Sequence, residues 1–406
     1  MGLSRLLGPG HAGLIPGLGV TQVIGYGTLY YAFAVLAPRM TESFGWAPEW
    51  TYAGFALGLL AGGAVAPWTG SLIDRYGTRP VMAAGSGLAA LALFGLSEAR
   101  DIVGYGLAMV AIQAVATMVF YDAAFAALTQ ARGAGARRSI SQLTLIGGFA
   151  STLFWPLTNW LLDSLDWREI YRLYALLHVL LCVPLHLLIL PGRARRGAAE
   201  TARVPAAGDA AAAPEPAYLE GPARRRAFLL LAAAFSLQGF VVSALSVHML
   251  TLLRDLGLGA AVAVGIGAVV GPSQVAGRLV EMLFGKAVAP VTTAWVSGAL
   301  MPVALALLLW GSVDVAVAGA FAIAYGISMG LSSIVRGTVP LQLFGPRGYG
   351  AMMGRLSAPG LVVKAAAPLV FAVLLERGGT TPSTLLLVLF SMVATVALFL
   401  LARASR

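Results

Sequence analysis

Long apolar segments separated by short polar ones run along most of the chain. A segment of about 20 apolar residues can cross a bilayer as a helix. We predict twelve such spans, over residues 14–37, 50–73, 80–97, 102–129, 139–162, 170–190, 227–252, 260–284, 288–310, 314–340, 349–375 and 382–402. The pattern therefore predicts an all-α membrane protein.

One long polar segment, residues 191–226, interrupts this pattern between the sixth and seventh spans. It is rich in Ala, Pro, Gly and Arg and has no apolar period, so we predict a flexible linker. The two halves also form an internal repeat. A constant shift of 212 residues relates Gly27 to Gly239, Gly133 to Gly345, Gly148 to Gly360 and Pro156 to Pro368. We therefore predict two pseudo-symmetric six-helix bundles, residues 1–190 and 227–406.

The composition agrees with membrane insertion. Only 11% of the 406 residues are charged and 59% are hydrophobic, too few charges to cover a soluble protein. The net charge of +10 reflects basic loops: seventeen lysines and arginines lie on the side of both termini and the linker, and six lie on the other. The positive-inside rule places that richer side in the cytoplasm. We expect an integral protein of the bacterial inner membrane, with lipid as its surroundings and no nucleic-acid partner.

The loop between the second and third spans carries a distinctive pattern, Gly70-Ser71-Leu72-Ile73-Asp74-Arg75-Tyr76-Gly77-Thr78-Arg79-Pro80. Gly70 and Gly77 allow two helix ends to approach closely and to turn. Asp74 can meet a helix N-terminus or a neighbouring arginine, while Arg75 and Arg79 stay in water.

This pattern, G-x-L-x-D-R-x-G-x-R, resembles the signature loop of the major facilitator superfamily. The resemblance implies two bundles that rock about a central cavity, and a monomeric transporter rather than an enzyme. No phosphate-cradling G-x-x-x-x-G-K-[ST] motif is present, so the driving force is expected to be an ion or substrate gradient. No metal or other cofactor is expected.

Ionisable side chains within the spans are the main candidates for a site, because each costs several kcal/mol unless it is paired or hydrated. They are Asp122, Arg278, Glu281, Arg336 and Lys364, with Arg355 less deep in its span. Three of the five deeper residues are cations, which indicates an anionic substrate. Asp122, Glu281 and Lys364 are the candidates for proton coupling.

The eighth span resembles that of one particular family within this superfamily. It is similar to that of the monocarboxylate transporter family, whose pattern there is an aspartate, two further residues and then Gly-Arg. Here Gly277-Arg278 is kept, but Gln274 replaces the aspartate. The resemblance implies that Arg278 binds a substrate carboxylate, with Gln274 beside it, and leaves the coupling group open. Alternatively, Arg278 pairs with Glu281 at i+3 in the same helix.

The repeat makes Asp122 and Arg336 near-equivalent, so they can face each other across the cavity as a gate, or only tie helices together. Lys364 lies in the middle of the eleventh span. It can bind an anion or titrate, since desolvation favours a neutral lysine. Alternatively, backbone carbonyls around Pro359 and Pro368 satisfy it.

The first span adds Tyr26 and Tyr30, which share one helix face at i and i+4. They are candidates for substrate contact or for aromatic packing within the bundle.

These observations favour a proton-coupled secondary transporter of a small, monocarboxylate-like organic anion. The alternative is a proton-driven exporter of drugs or other lipophilic compounds. Such exporters carry G-x-x-x-G-P-x-x-G-G in the fifth span, and residues 147–156 here depart from that pattern. A non-transporting receptor is a third hypothesis, which has no need of intramembrane charges.

Overall fold

The computed structural model describes residues 13–192, 218–285, 288–310 and 313–404. All regular secondary structure within these ranges is helical. We number the spans α1 Leu14–Phe44, α2 Pro48–Tyr76, α3 Thr78–Ser97, α4 Ile102–Ala116 and Tyr121–Arg132, α5 Arg137–Gly147 and Ala150–Leu161, α6 Trp167–Ile189, α7 Gly221–Asp255, α8 Ala260–Phe284, α9 Pro290–Leu307, α10 Val315–Phe344, α11 Tyr349–Gly378 and α12 Thr380–Ala404.

Eleven helical stretches of the described chain are long and apolar enough to cross a membrane. One of them, Ile102–Leu161, has 60 residues and contains both α4 and α5. That is about three times the 20 residues that one crossing needs, so it is divided into two spans. The predicted all-α membrane fold with twelve spans is thus confirmed.

Two pairs of glycines related by the shift of 212 residues occupy equivalent helix ends. Gly133 and Gly345 follow α4 and α10 with φ of 58° and 78°, and Gly45 and Gly257 follow the ends of α1 and α7 with φ of 68° and 96°. Glycine adopts such positive φ values without the steric cost that a Cβ brings. The two halves therefore share local geometry as well as sequence spacing, as pseudo-symmetric bundles should.

The junction between the halves differs in one detail from the prediction. Residues 193–217 of the predicted linker lie outside the described residues, but α7 begins at Gly221 rather than near residue 227. Pro222 suits the first turn of a helix, where its missing N–H is not needed. The exposed Arg225 and Arg226 then form a polar turn at the start of α7.

Three hydrophobic clusters show where the bundles meet. One cluster lies within the N-terminal bundle, around Leu36, Leu93 and Tyr174, and another lies within the C-terminal bundle. The third is shared and joins Leu128 to Val339 and other residues of both halves. It lies where α2 ends and α11 begins, which we call the Asp74 end. The bundles therefore pack together at the Asp74 end and keep separate cores at the other end.

The described helices of the N-terminal bundle are less regular than those of its counterpart. Single π turns interrupt α1 at Gly27–Tyr31 and α6 at His178–Cys182. Both α4 and α5 consist of two segments, separated by residues 117–120 and 148–149. Irregular backbone at membrane depth is tolerated where it is buried in protein or lines a cavity. Three of these four helices (α1, α4 and α5) border the space between the bundles.

Candidate functional site

Asp122 and Arg336 form an ion pair between the bundles. The Nε and Nη2 atoms of Arg336 donate to the two carboxylate oxygens of Asp122 at 3.3 and 3.2 Å. Ser357 of α11 donates to Asp122 and accepts from Arg336 Nη2 at 2.8 Å. The structure thus places the two predicted residues face to face, and ties α4 to α10 and α11.

Lys364 and Arg336 line the same small cavity, with Ser357 beside them. The stem of Lys364 passes so close to Gly239 that a Cβ there would lie 3.1 Å from Cε. Within the described chain no acceptor hydrogen-bonds Nζ, and the carbonyl of Pro368 accepts from His248 at 3.0 Å instead. The ammonium of Lys364 is therefore available to a ligand.

Arg278 is a buried cation, 6% exposed, whose partners within the described chain are all neutral. Its Nε donates to Ser333 Oγ at 3.0 Å, and its Nη2 to Gln274 Oε1 at 3.4 Å. Its guanidinium lies against Gly148 of α5, where any Cβ would collide with Nη1. Gln274 thus orients the arginine, and Arg278 reaches across from α8 to the N-terminal bundle.

Glu281 does not pair with Arg278, so the i+3 alternative is wrong. Its Oε1 lies 3.4 Å from Arg137 Nη2, and its Oε2 accepts from Ser141 Oγ at 2.7 Å. Arg137 also donates to the carbonyl of Gly285 at 2.7 Å. Glu281 therefore joins α8 to α5 near the Asp74 end.

Arg137 was missed as a site residue by the sequence reasoning. The available signal was its place at the start of the fifth span. The repeat makes that position equivalent to the start of α11, which meets the end of α2. The start of α5 should therefore meet the end of α8, where Glu281 lies.

Asp74 caps the start of α11. Its carboxylate accepts from the backbone N–H groups of Gly350 and Ala351 at 3.0 and 2.7 Å. Of the two expected partners, the structure contains the helix N-terminus, whose dipole favours an anion. Gly70 lies directly against Gly350, so the two backbones touch without intervening side chains.

The other loop residues have simpler surroundings. Gly77 adopts φ of 98° between α2 and α3, which requires glycine. Arg75 and Arg79 are exposed, as expected.

Aromatic rings gather on the N-terminal bundle beside the gap between the bundles. The Tyr26 ring stacks on Phe120 with centroids 4.0 Å apart and lies 4.9 Å from the Tyr121 ring. Tyr30 meets the Tyr31 ring edge-on at 5.3 Å. All five side chains are partly exposed.

These rings face the cations of the other bundle. The Tyr121 hydroxyl lies against Gly147 of α5, and Nη1 of Arg278 lies against the next residue, Gly148. The site described here contains four cations, Arg137, Arg278, Arg336 and Lys364, and two acids, Asp122 and Glu281. Its net charge of +2 suits an anion.

Comparison with known proteins gives a consistent result. A family model described as the Major Facilitator Superfamily matches residues 18–354. A search of curated proteins finds no significant match.

Three similar solved structures share the fold over nearly the whole chain. The human organic anion transporter MFSD10 (TETRAN) is 16% identical with a TM-score of 0.68, and the alignment covers 99% of this chain and 100% of that one. The proton:xylose symporter XylE bound to 6-bromo-6-deoxy-D-glucose is 10% identical, with a TM-score of 0.70 and 95% of each chain covered. FucP in the outward conformation is 12% identical, with a TM-score of 0.71 and coverage of 95% and 98%. At these identities the likeness concerns the fold alone.

Proposed function

Because the chain belongs to the major facilitator superfamily, we propose that it is a secondary transporter of a small organic anion. Transport proceeds by alternating access: the two bundles rock about a site near the bilayer midplane. The substrate is monocarboxylate-like and moves together with protons. The protein works as a monomer in the bacterial inner membrane, with both termini in the cytoplasm.

Arg278 is the observation that carries the choice of an anion. Burying a cation without an acid beside it costs free energy, and an anion that binds there offsets this cost by supplying the opposite charge. Ser333 and Gln274 hold the guanidinium from two sides. A carboxylate can then bind it in the bidentate manner for which arginine is suited. Lys364 provides a second cation, which has no acid partner among the described residues, in the cavity that it lines with Arg336.

The structure can be assigned to one state of the transport cycle once the cytoplasmic face of the membrane is known. The positive-inside rule assigns the Asp74 end to the cytoplasm. Since the bundles pack together at that end, the structure corresponds to an outward-facing state. Transport then requires that the contacts made by Asp74, Glu281 and the Asp122–Arg336 pair open and re-form.

Proton coupling is assigned to Asp122 and Lys364. Asp122 holds its cation across the bundle interface, so rocking can separate the pair. A carboxylate that loses its counter-ion binds a proton more readily. Lys364 lies in the same cavity and can exchange a proton as the cavity fills and empties. Glu281, also at the interface, is the third candidate, while Gln274 cannot titrate.

The excess of cations argues against the alternative exporter of lipophilic compounds, since a lipophilic cation would be repelled from this site. A neutral drug would leave the charge of Arg278 uncompensated. An organic anion is attracted by the cations and also compensates the charge of Arg278.

The anion site is tested by binding to the purified protein. Lactate and a panel of other monocarboxylates should raise the melting temperature of the wild type, because a ligand of the folded state stabilises it. Arg278→Ala should lose this shift, and Arg278→Lys should restore little of it because the fork geometry is lost. Arg355→Ala removes an exposed arginine from α11 and serves as the control. Unchanged binding by Arg278→Ala would show that the site is elsewhere.

Coupling is tested in proteoliposomes with a pH-sensitive dye. Asp122→Asn and Lys364→Gln should each allow substrate exchange without net proton movement. Glu42→Gln, at an exposed ion pair with Arg39, controls for loss of a carboxylate. If both site variants keep full substrate-dependent proton flux, neither residue couples, and facilitated diffusion or exchange is the better account.

A further inference from the structure

Two irregularities of the N-terminal bundle bring aromatic rings to one place. Tyr26 stands immediately before the π turn of α1, and Phe120 and Tyr121 stand at the interruption of α4. Interrupted backbone and π turns in helices frequently mark functional sites. Here both interruptions serve a single cluster, since the Tyr26 ring lies 4.0 Å from Phe120 and 4.9 Å from Tyr121. We call these three side chains the ring platform.

The ring platform differs from the aromatic core of the same bundle. Core rings such as Phe125 and Tyr174 are 0% exposed, whereas all three platform rings are partly exposed. Rings that only filled space in the bundle would be covered as the core rings are. The platform therefore keeps surface open at the interface with the C-terminal bundle.

The open surface lies beside the anion site. The Tyr121 hydroxyl lies against Gly147, the residue before the Gly148 that Arg278 contacts, and Tyr121 directly precedes Asp122, which binds Arg336. The cations come from continuous helices of the C-terminal bundle, α8 and α10, while the rings come from the opposite bundle. An anion held at Arg278 thus has aromatic rings next to it. A short aliphatic carboxylate would satisfy the cation and leave this surface uncovered.

We infer that the transported anion carries a planar aromatic body, which packs on Tyr26, Phe120 and Tyr121 while its carboxylate meets Arg278. This inference rests on the proposed function, because it presumes that the site takes an anion. It adds the class of substrate: an aromatic carboxylate rather than a short aliphatic one. Stacked and edge-on contacts between rings add to affinity beyond the area that they bury.

Binding of matched probes to the full-length purified protein tests this inference. Benzoate and cyclohexanecarboxylate have the same charge and nearly the same size, and differ in the ring. Calorimetry should give a dissociation constant for benzoate about fivefold below that for cyclohexanecarboxylate, a ratio typical of an aromatic pair. The saturated ring is the more hydrophobic, so burial alone would give the opposite order.

Substitutions test whether the rings of the platform cause the preference for benzoate. Phe120→Leu and Tyr26→Leu should each bring the ratio of the two dissociation constants close to one. Phe390→Leu removes a ring that contacts Phe240 within the C-terminal bundle and should leave the ratio unchanged. Two platform variants are used so that a folding failure in one does not prevent the test.

The outcomes separate the two proposals. If benzoate and cyclohexanecarboxylate bind equally well to the wild type, the aromatic inference is overturned while the anion site stands. If neither carboxylate binds but benzylammonium does, the proposed function fails as well. A benzoate preference that survives in both platform variants would also overturn the assignment to these rings.

Discussion

Two of the contacts that join the bundles at the Asp74 end, α2 with α11 and α5 with α8, are built differently. Between α2 and α11 the backbones touch, with Gly70 against Gly350 and Gly354 against Ala66. The carboxylate of Asp74 also accepts hydrogen bonds from two backbone N–H groups at the N-terminus of α11. This contact consists of backbone and one short side chain.

Between α5 and α8 long side chains make the contact. Arg137 reaches Glu281 and the carbonyl of Gly285, and Arg278 lies over Gly148. The two contacts are pseudo-symmetric equivalents, since the repeat relates α2 to α8 and α5 to α11. Nevertheless, glycines make the contact between α2 and α11, whereas charged side chains make the contact between α5 and α8.

The difference indicates a division of roles. A contact between backbones fits only one separation, because a helix cannot move closer and no side chain can adapt. Long side chains can change rotamer and follow a moving helix. We expect α2–α11 to fix the geometry of the closed end, and α5–α8 to respond to the ligand bound at Arg278.

The largest effect is expected at Gly70. Gly70→Ala puts a methyl group into the backbone of α11, and overpacking of this kind costs about 1–3 kcal/mol. The closed Asp74 end should become about tenfold or more less populated relative to the open one, with correspondingly slower transport. Gly87→Ala, on α3 with no atom near its Cβ position, is the control.

Opening of that end can be measured directly. Thr69 lines a small cavity at this contact, with Asp122 and Gly354. In a protein with Cys182→Ala, a Thr69→Cys substitution should be labelled slowly by a water-soluble reagent, and much faster once Gly70→Ala is added. Equal labelling rates would contradict the steric role of Gly70.

An intermediate effect is expected at Asp74. Asp74→Asn keeps one acceptor but loses the charge at the N-terminus of α11, which is worth up to about 2 kcal/mol in a partly buried site. Transport should slow by about tenfold while expression and membrane insertion stay normal.

Asp101→Asn provides a matched control for Asp74. Asp101 also caps a helix, accepting from Gly104 N–H at 2.7 Å, but within one bundle. It should transport at close to the wild-type rate. If the two variants behave alike, the effect of Asp74 comes from helix capping in general and not from the bundle interface.

The smallest effect is expected at Glu281. Glu281→Gln loses the charge opposite Arg137, but the amide can still accept from Ser141, and Arg137 keeps the carbonyl of Gly285. The Glu281 side chain is only 5% exposed, but that of Arg137 is 27% exposed, so water still reaches the cation that is left behind. The expected cost therefore stays at about 1 kcal/mol, and transport should fall by no more than about fivefold. Glu98→Gln breaks a pair with Arg172 inside the N-terminal bundle and serves as control. A loss larger than that of Gly70→Ala would reverse the proposed division of roles.

Much of the fold followed from the sequence. Bilayer thickness sets the length of a span, and polar loops must lie between spans, so hydropathy alone predicted twelve helices. For Asp74 the sequence left two partners open, a helix N-terminus or a neighbouring arginine, and the structure contains the first. The repeat made Asp122 and Arg336 near-equivalent, which left two alternatives: a pair that faces across the cavity as a gate, or one that only ties helices together.

The partners of the other charges were decided by tertiary structure. Arg278 and Glu281 are three residues apart on one helix, a spacing that allows an ion pair between them. In the fold Arg278 lies on Gly148 with Ser333 and Gln274, while Glu281 reaches Arg137, 144 positions away. Helical spacing determines which side chains are neighbours along a helix. Which of them bind each other depends on what the opposite bundle presents, and only packing of the two bundles determines that.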